Sequence, residues 1–391
     1  MKRPIYLDYN ATTPVDERVL ARMMPFFTEH YGNASSKGHA LGWAAEEAVA
    51  QAREAVAALL RAEAGDVVFT SGATEAINTA IKGVAGAYAR RGRHLVTVQT
   101  EHKAVLDTCR ALERQGFDVT YLPVQADGRL DPAVLDAALT DATILVAVMW
   151  ANNETGVLQP IPELAALARA REILFMTDAT QAVGKVPVDV SHADVLTCSA
   201  HKIYGPKGVG ALYLRRRNPR VRLVPLMDGG GQEHGLRGGT LNVPGIVGMG
   251  AALEVARAAL PEEAGYLETL RNRFEAALSD RLPDVQVNGQ AAPRLPQTAN
   301  ITFHGVEAAR LVLALRDLAV STGSACSSGN NRPSHVLKAM GLSDAEAVAT
   351  IRFSLGRFTT PEEIDYASDH VVAAVEHLRK QTAFATSESV P

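Results

Sequence analysis

A mainly parallel α/β sheet covered by helices on both faces, followed by a smaller α+β unit, is the fold class this sequence predicts. Two observations predict it. Short runs rich in Val and Ile alternate with Ala-rich amphipathic stretches from residue 41 to residue 177, a rhythm that packs as a parallel sheet between helix layers. Those runs are short and rich in Val and Ile, as suits strands buried on both faces.

Taken in order, residues 41–61 read as a helix, 67–70 as a strand, 74–90 as a helix and 94–98 as a strand. Residues 103–115 read as a helix, 118–121 and 143–149 as strands, 161–170 as a helix and 173–177 as a strand. The rhythm changes after about residue 215, where a Gly-rich segment, 228–239, precedes a long helical stretch over 247–282. Together these predict a large α/β domain over 15–250, a smaller α+β domain built from 1–14 and 251–380, and a polar disordered tail over 381–391. No internal repeat is visible.

Composition narrows the function. The chain has 391 residues, 21% of them charged, and a formal net charge of −4, with both signs mixed along its length. That is not the basic footprint of a nucleic-acid binder. Arg215-Arg216-Arg217 reads as a solvated loop. Cys109, Cys198 and Cys326 are far apart and lack metal-ligand spacing, so no metal site is predicted, and a sparse, odd set suits a reducing compartment. The first residues have no apolar segment of signal-peptide type, and no apolar run nears the roughly 20 residues of a membrane span. A cytoplasmic protein with no membrane partner is the expectation.

Three short motifs point to chemistry. Ser199-Ala200-His201-Lys202 precedes Gly205-Pro206-Lys207-Gly208. A lysine beside small residues and a glycine turn suits covalent attachment of a flat aldehyde, which requires a deprotonated amine. By itself the motif reads first as an ordinary surface lysine after a strand, and its neighbours in the chain reverse that reading. Upstream, Asp178 ends the apolar run 173–177, at the carboxyl edge where open α/β sheets bind ligands. An acid there would keep a pyridine nitrogen protonated and its ring an electron sink; the plainer reading is a helix cap. Third, Ser71-Gly72-Ala73-Thr74 joins a strand to a helix, which makes it either a phosphate site or a simple N-cap. Lysine, acid and phosphate turn together predict pyridoxal 5'-phosphate.

In this order the motifs resemble the class V pyridoxal-phosphate enzymes, and further the cysteine desulfurases. The resemblance runs from about residue 4 to residue 375. It is carried by Tyr6-Leu7-Asp8-Tyr9-Asn10-Ala11-Thr12-Thr13-Pro14, Tyr31-Gly32-Asn33-Ala34-Ser35-Ser36, Thr100-Glu101-His102 and Asn152-Asn153-Glu154-Thr155-Gly156. It continues through Asp178-Ala179-Thr180-Gln181, Ser199 to Lys202, Arg237-Gly238-Gly239-Thr240 and Gly323-Ser324-Ala325-Cys326-Ser327-Ser328-Gly329.

The resemblance implies the transferase fold of type I and a set of roles. Lys202 would hold the cofactor, Asp178 would pair with its ring nitrogen and Gln181 with its phenolic oxygen. His102 would stack on the ring and act as acid and base. Ala73, Thr74, Ser199 and His201 would hold the phosphate, with Thr240 reaching it from the second subunit of a homodimer. Arg352 would clamp the substrate carboxylate with help from Asn153, since a guanidinium matches that group with two parallel bonds. Cys326 would take the sulfur of L-cysteine as a persulfide and pass it to an acceptor such as an iron–sulfur scaffold.

Cys326 sits among Gly, Ser and Ala, a composition that reads as an exposed loop, whereas Cys109 and Cys198 read as small buried apolar residues. The length around Cys326 resembles the long-loop group (housekeeping and nitrogen-fixation types). Two departures stand out: Ala200 replaces a frequent glycine, and Asn330-Asn331-Arg332 replaces a stretch that often carries an acid. His335, next to that loop, is a candidate to line its path; His39 and His234 receive no role. A selenocysteine lyase or aminotransferase on the same fold, and a non-catalytic sulfur-relay scaffold, remain the alternatives.

Overall fold

The structure, a computed structural model, describes residues 4–322 and 333–387. Its centre is a seven-stranded sheet in the order Val67–Thr70, Gly210–Leu214, Val195–Ser199, Leu174–Asp178, Thr143–Ala147, His94–Val98, Asp118–Leu122. The last five strands in that order are mutually parallel. Gly210–Leu214 runs antiparallel to both neighbours, an inversion the apolar pattern could not show. Every strand except the edge Asp118–Leu122 is buried along its whole length, and this is why the runs lack alternation.

A second sheet of four antiparallel strands, Ser321–Thr322, Thr350–Ser354, Thr298–Phe303 and Val285–Val287, has its own core. Phe274, Phe303 and Phe353 meet there with ring centroids 4.8 and 6.4 Å apart. Ile5–Tyr6 pairs with Leu318–Ala319, so the N-terminal segment lies beside this second core.

The helix Val243–Arg281 serves both cores. Val243 to Leu253 pack in the first, Leu267 to Leu278 in the second. It begins earlier than 247, at an Asn242 cap followed by Pro244. Its first half is long and apolar enough to cross a membrane, contrary to the expectation that no run would be. The reason is its mostly buried place against Ala40–Leu60 inside the fold.

Two further expectations are corrected. The last helix, Pro361–Ser387, continues past Lys380 into the stretch read as a disordered tail, because residues 381–386 contain no Pro or Gly to stop it. Arg215 is not a solvated loop residue: it pairs with Asp194 at 3.1 Å, and both side chains are largely buried. Asp194 in turn accepts from Phe175 N, so that pair ties the strand ends together.

Candidate functional site

One cavity of about 750 Å³ gathers the segments that follow four of the parallel strands and closes against the second sheet. Its lining includes His102 after His94–Val98, Asn153 after Thr143–Ala147, Asp178 and Gln181 at the end of Leu174–Asp178, and Ser199, His201 and Lys202 after Val195–Ser199. These are the carboxyl ends of the strands, where an open α/β sheet leaves its crevice. Ala73 and Thr74 enter from the start of the helix Ala73–Tyr88, and Arg352 from the second sheet. The structure therefore brings ten of the predicted residues to one place. Thr240 is exposed and outside that lining. Cys326 lies outside the described residues.

Asp178 is buried, and Oδ1 accepts from Thr180 N at 3.0 Å, Thr180 Oγ1 at 2.5 Å and Thr197 Oγ1 at 3.2 Å. No helix follows Asp178, so it is not the helix cap of the plainer reading: it closes a local turn onto Thr180, and all three donors use one oxygen. Oδ2 keeps its capacity for a ring N–H from the cavity.

Lys202 ends the short turn Ala200–Lys202, and its Nζ donates to the carbonyls of Asn10 and Ala11, each at 2.7 Å. His201 Nδ1 lies 3.1 Å from Thr12 Oγ1. Burial first, then the cations Lys202, Lys207 and Lys185, lowers the His201 pKa to about 4.

His102 caps the helix Lys103–Glu113, its Nδ1 accepting from Ala104 N at 3.1 Å. That bond assigns the proton of the neutral ring to Nε2. Burial lowers its pKa, Asp178 opposes the shift and Lys202 adds to it, so the ring is a neutral donor at pH 7.

The lining fits pyridoxal phosphate. Gly72 starts Ala73–Tyr88 with no side-chain cap, so first-turn N–H groups remain for an anion. Ser199 Oγ donates to Val209 O at 3.4 Å, a long contact that leaves its one O–H able to turn toward an anion. A Cβ at Gly210 would lie 2.7 Å from the Gly72 backbone, which is why a glycine holds the inverted strand against this turn.

Arg352 is nearly enclosed. Its Nη2 meets Asp8 Oδ1 at 2.6 Å, its Nη1 donates to Asn153 O at 2.9 Å, and its buried Nε has no partner among the described residues. A carboxylate, that of Asp8, already rests on the guanidinium.

Sequence reasoning missed several supports. Asn10 was quoted within a motif but given no role, yet its carbonyl receives both Lys202 Nζ and Gln181 Nε2. The Gly-rich segment is fixed at two points: Glu233 pairs with Arg53 at 2.6 Å and accepts from Phe69 N, and Arg237 Nε donates to Glu75 at 2.9 Å. The second contact docks the Arg237–Thr240 turn onto the proposed phosphate helix. His335 Nε2 lies 2.9 Å from Glu101 O, next to His102 in sequence, and His335 is absent from the cavity lining. Cys109 and Cys198 are buried, and burial pushes each thiol up to about 12, so neither supplies a thiolate at neutral pH.

One pH effect follows. In the unfolded chain His201 titrates near 6.5, in the folded chain near 4. Below pH 6.5 the unfolded state binds a proton that the folded state refuses, so stability falls with pH across that window. Thermal melts of the cofactor-free protein should drop from pH 7 to pH 4.5, with a shallower slope for His201→Gln. An identical slope would remove His201 as a cause.

Comparison with known proteins agrees with this geometry. The aminotransferase class-V family matches residues 5–367. A "Cysteine desulfurase IscS" of Anaeromyxobacter sp. (strain Fw109-5) is 56% identical over 384 residues, covering 98% of this chain and 95% of that one. Among solved structures, a "NIFS-like protein" superposes with a TM-score of 0.88 at 38% identity, covering 96% of this chain and all of that one. "SspA in complex with cysteine" superposes with a TM-score of 0.81 at 40% identity, covering 91% of this chain and all of that one. The ordered lysine, acid and phosphate turn at the ends of one parallel sheet, matched along nearly the whole chain, place this protein in the aminotransferase class-V family, among its pyridoxal-phosphate-dependent cysteine desulfurases.

Proposed function

We propose that this enzyme converts L-cysteine to L-alanine, placing the sulfur on Cys326 as a persulfide and passing it to an acceptor protein for iron–sulfur cluster and related cofactor assembly. The observation that carries the reading is the shared cavity of Lys202, Asp178, His102 and the enclosed Arg352. The solved relative that holds cysteine supports the choice of substrate. Bound pyridoxal phosphate supplies an electron sink for the bond changes at the substrate carbon.

The chain's residues do the rest. Arg352 receives the substrate carboxylate, which displaces or shares with Asp8. Lys202 removes the Cα proton. His102 would serve as the nearby acid and base, delivering a proton only from the imidazolium it forms by first accepting one. The Cys326 thiolate attacks the substrate sulfur: the S–S bond forms, the C–S bond breaks, and the electron pair goes to carbon, which is then protonated to give alanine.

The unit is proposed to be a homodimer in the cytoplasm. Exposed apolar side chains at Leu20, Met24, Phe27, Trp43, Leu226 and Met227 support an interface, and exposed Thr240 would reach the partner's phosphate. The two cores support a division into 15–250 and 1–14 with 251–380, the border falling inside Val243–Arg281.

The test is to incubate the pyridoxal-phosphate-loaded protein with L-cysteine and a thiol reductant, and to quantify alanine and sulfide. Equal amounts over several turnovers support the proposal; pyruvate and ammonia overturn it. Arg352→Gln should raise KM for cysteine roughly 10- to 150-fold, the worth of about 1.5–3 kcal/mol for a charged hydrogen-bonding partner. Cofactor binding should be unchanged, and an unaltered KM would reassign the arginine to a structural role with Asp8.

A further inference from the structure

We propose that Lys185 is a positioning residue for this reaction: it holds the Gln181 side-chain amide with its NH₂ group toward the cofactor cavity. The inference rests on the reading that Gln181 meets the cofactor's phenolic oxygen.

The two ends of a carboxamide are nearly equal in size, so hydrogen bonds decide which end faces where. Gln181 is buried at the cavity wall. Its Oε1 accepts from Lys185 Nζ at 2.8 Å and its Nε2 donates to Asn10 O at 2.9 Å. An ammonium offers only N–H and a carbonyl offers only lone pairs, so both neighbours select the same orientation. Reversal would set NH₂ against Lys185 and carbonyl against carbonyl. With one N–H on Asn10, Nε2 has a second to donate toward the cavity. The amide can then stabilise an oxygen that carries negative charge and cannot accept a proton from it.

Asn10 O is shared with Lys202 Nζ at 2.7 Å, so the carbonyl that orients Gln181 also holds the proposed attachment lysine. Burial, then Lys202 and Arg352, lowers the Lys185 pKa to about 7. An uncharged Lys185 amine keeps N–H to donate but gains a lone pair, so after loss of that proton the Asn10 carbonyl is the neighbour that still excludes the reversed amide.

The test is a double-mutant cycle on the pyridoxal-phosphate-loaded protein, using Lys185→Met, Gln181→Ala and both together. The readouts are the dissociation constant of pyridoxal phosphate and the visible spectrum of the bound form at one pH, with melting of the cofactor-free proteins as a folding control. Lys185→Met should weaken the cofactor about fivefold, the worth of one neutral hydrogen bond, and move absorbance to the shorter-wavelength form. In the Gln181→Ala background the second change should alter neither readout. Lys185→Arg, which keeps a donor, should restore most of the spectrum. Additive effects, or a parental spectrum in Lys185→Met, overturn the inference. An unaltered spectrum in Gln181→Ala overturns it together with the assigned role of Gln181, whereas a parent that takes up no pyridoxal phosphate overturns the functional reading itself. Should Lys185→Met not fold, Lys185→Leu replaces it in the same cycle.

Discussion

Lys202→Ala is expected to release no measurable sulfide from cysteine. Loss of a proton-transfer group alone costs roughly 10²- to 10⁴-fold, and here the same side chain is also the proposed attachment point. The fold should survive. The substitution withdraws a donor from two carbonyls, Asn10 and Ala11, and leaves intact the sheet that presents the turn. The phosphate turn and Asp178 are also untouched, so the variant should still take up the cofactor, now without a covalent link. Borohydride, which fixes the cofactor to the parent, should leave the variant unlabelled. Covalent labelling of the variant, or activity above a tenth of the parent's, would assign the attachment to another lysine.

Cys326→Ser is expected to separate binding from sulfur transfer. None of the described residues that line the cavity changes, so pyridoxal-phosphate uptake and the cysteine-induced spectral change should match the parent's. Alanine and sulfide formation should both disappear, because a hydroxyl at neutral pH is too weak a nucleophile for substrate sulfur. The other two thiols cannot substitute: each is buried, with its pKa raised to about 12. Alkylation of the parent after cysteine treatment, followed by mass analysis, should find the extra sulfur on Cys326 alone. Full sulfide release from the serine variant would remove Cys326 from the pathway.

Local pattern and distant contact divide what was legible from what was not. The strands showed because burial on both faces forces uninterrupted apolar runs, and the residues that follow them, Asp178 and Ser199 to Lys202, inherit their position from that layout. The inverted strand Gly210–Leu214 was invisible because a buried antiparallel strand and a buried parallel one share one composition. Arg215 was misread for a related reason. Its partner Asp194 is distant in sequence, and a run of arginines carries no mark of which member turns inward. The contacts of Asn10 with Gln181, of Asp8 with Arg352 and of Glu233 with Arg53 likewise depend on tertiary approach. Motif resemblance named Asp8, Asn10, Gln181 and Arg352 without the bonds that join them, and named neither Glu233 nor Arg53.

The N-terminal segment that bears on the cavity has a temporal consequence. Asp8, Asn10 and Thr13 find their partners at Gln181, His201, Lys202, Thr298, Arg352 and Ser354. A nascent chain makes its first residues earliest, yet these must wait until the strand Thr350–Ser354 has left the ribosome. The seven-stranded sheet, complete by Leu214, can assemble before then. The pocket wall is thus completed at the end of synthesis, and a chain cut short before residue 350 would lack Arg352 and the contacts that seat the first segment.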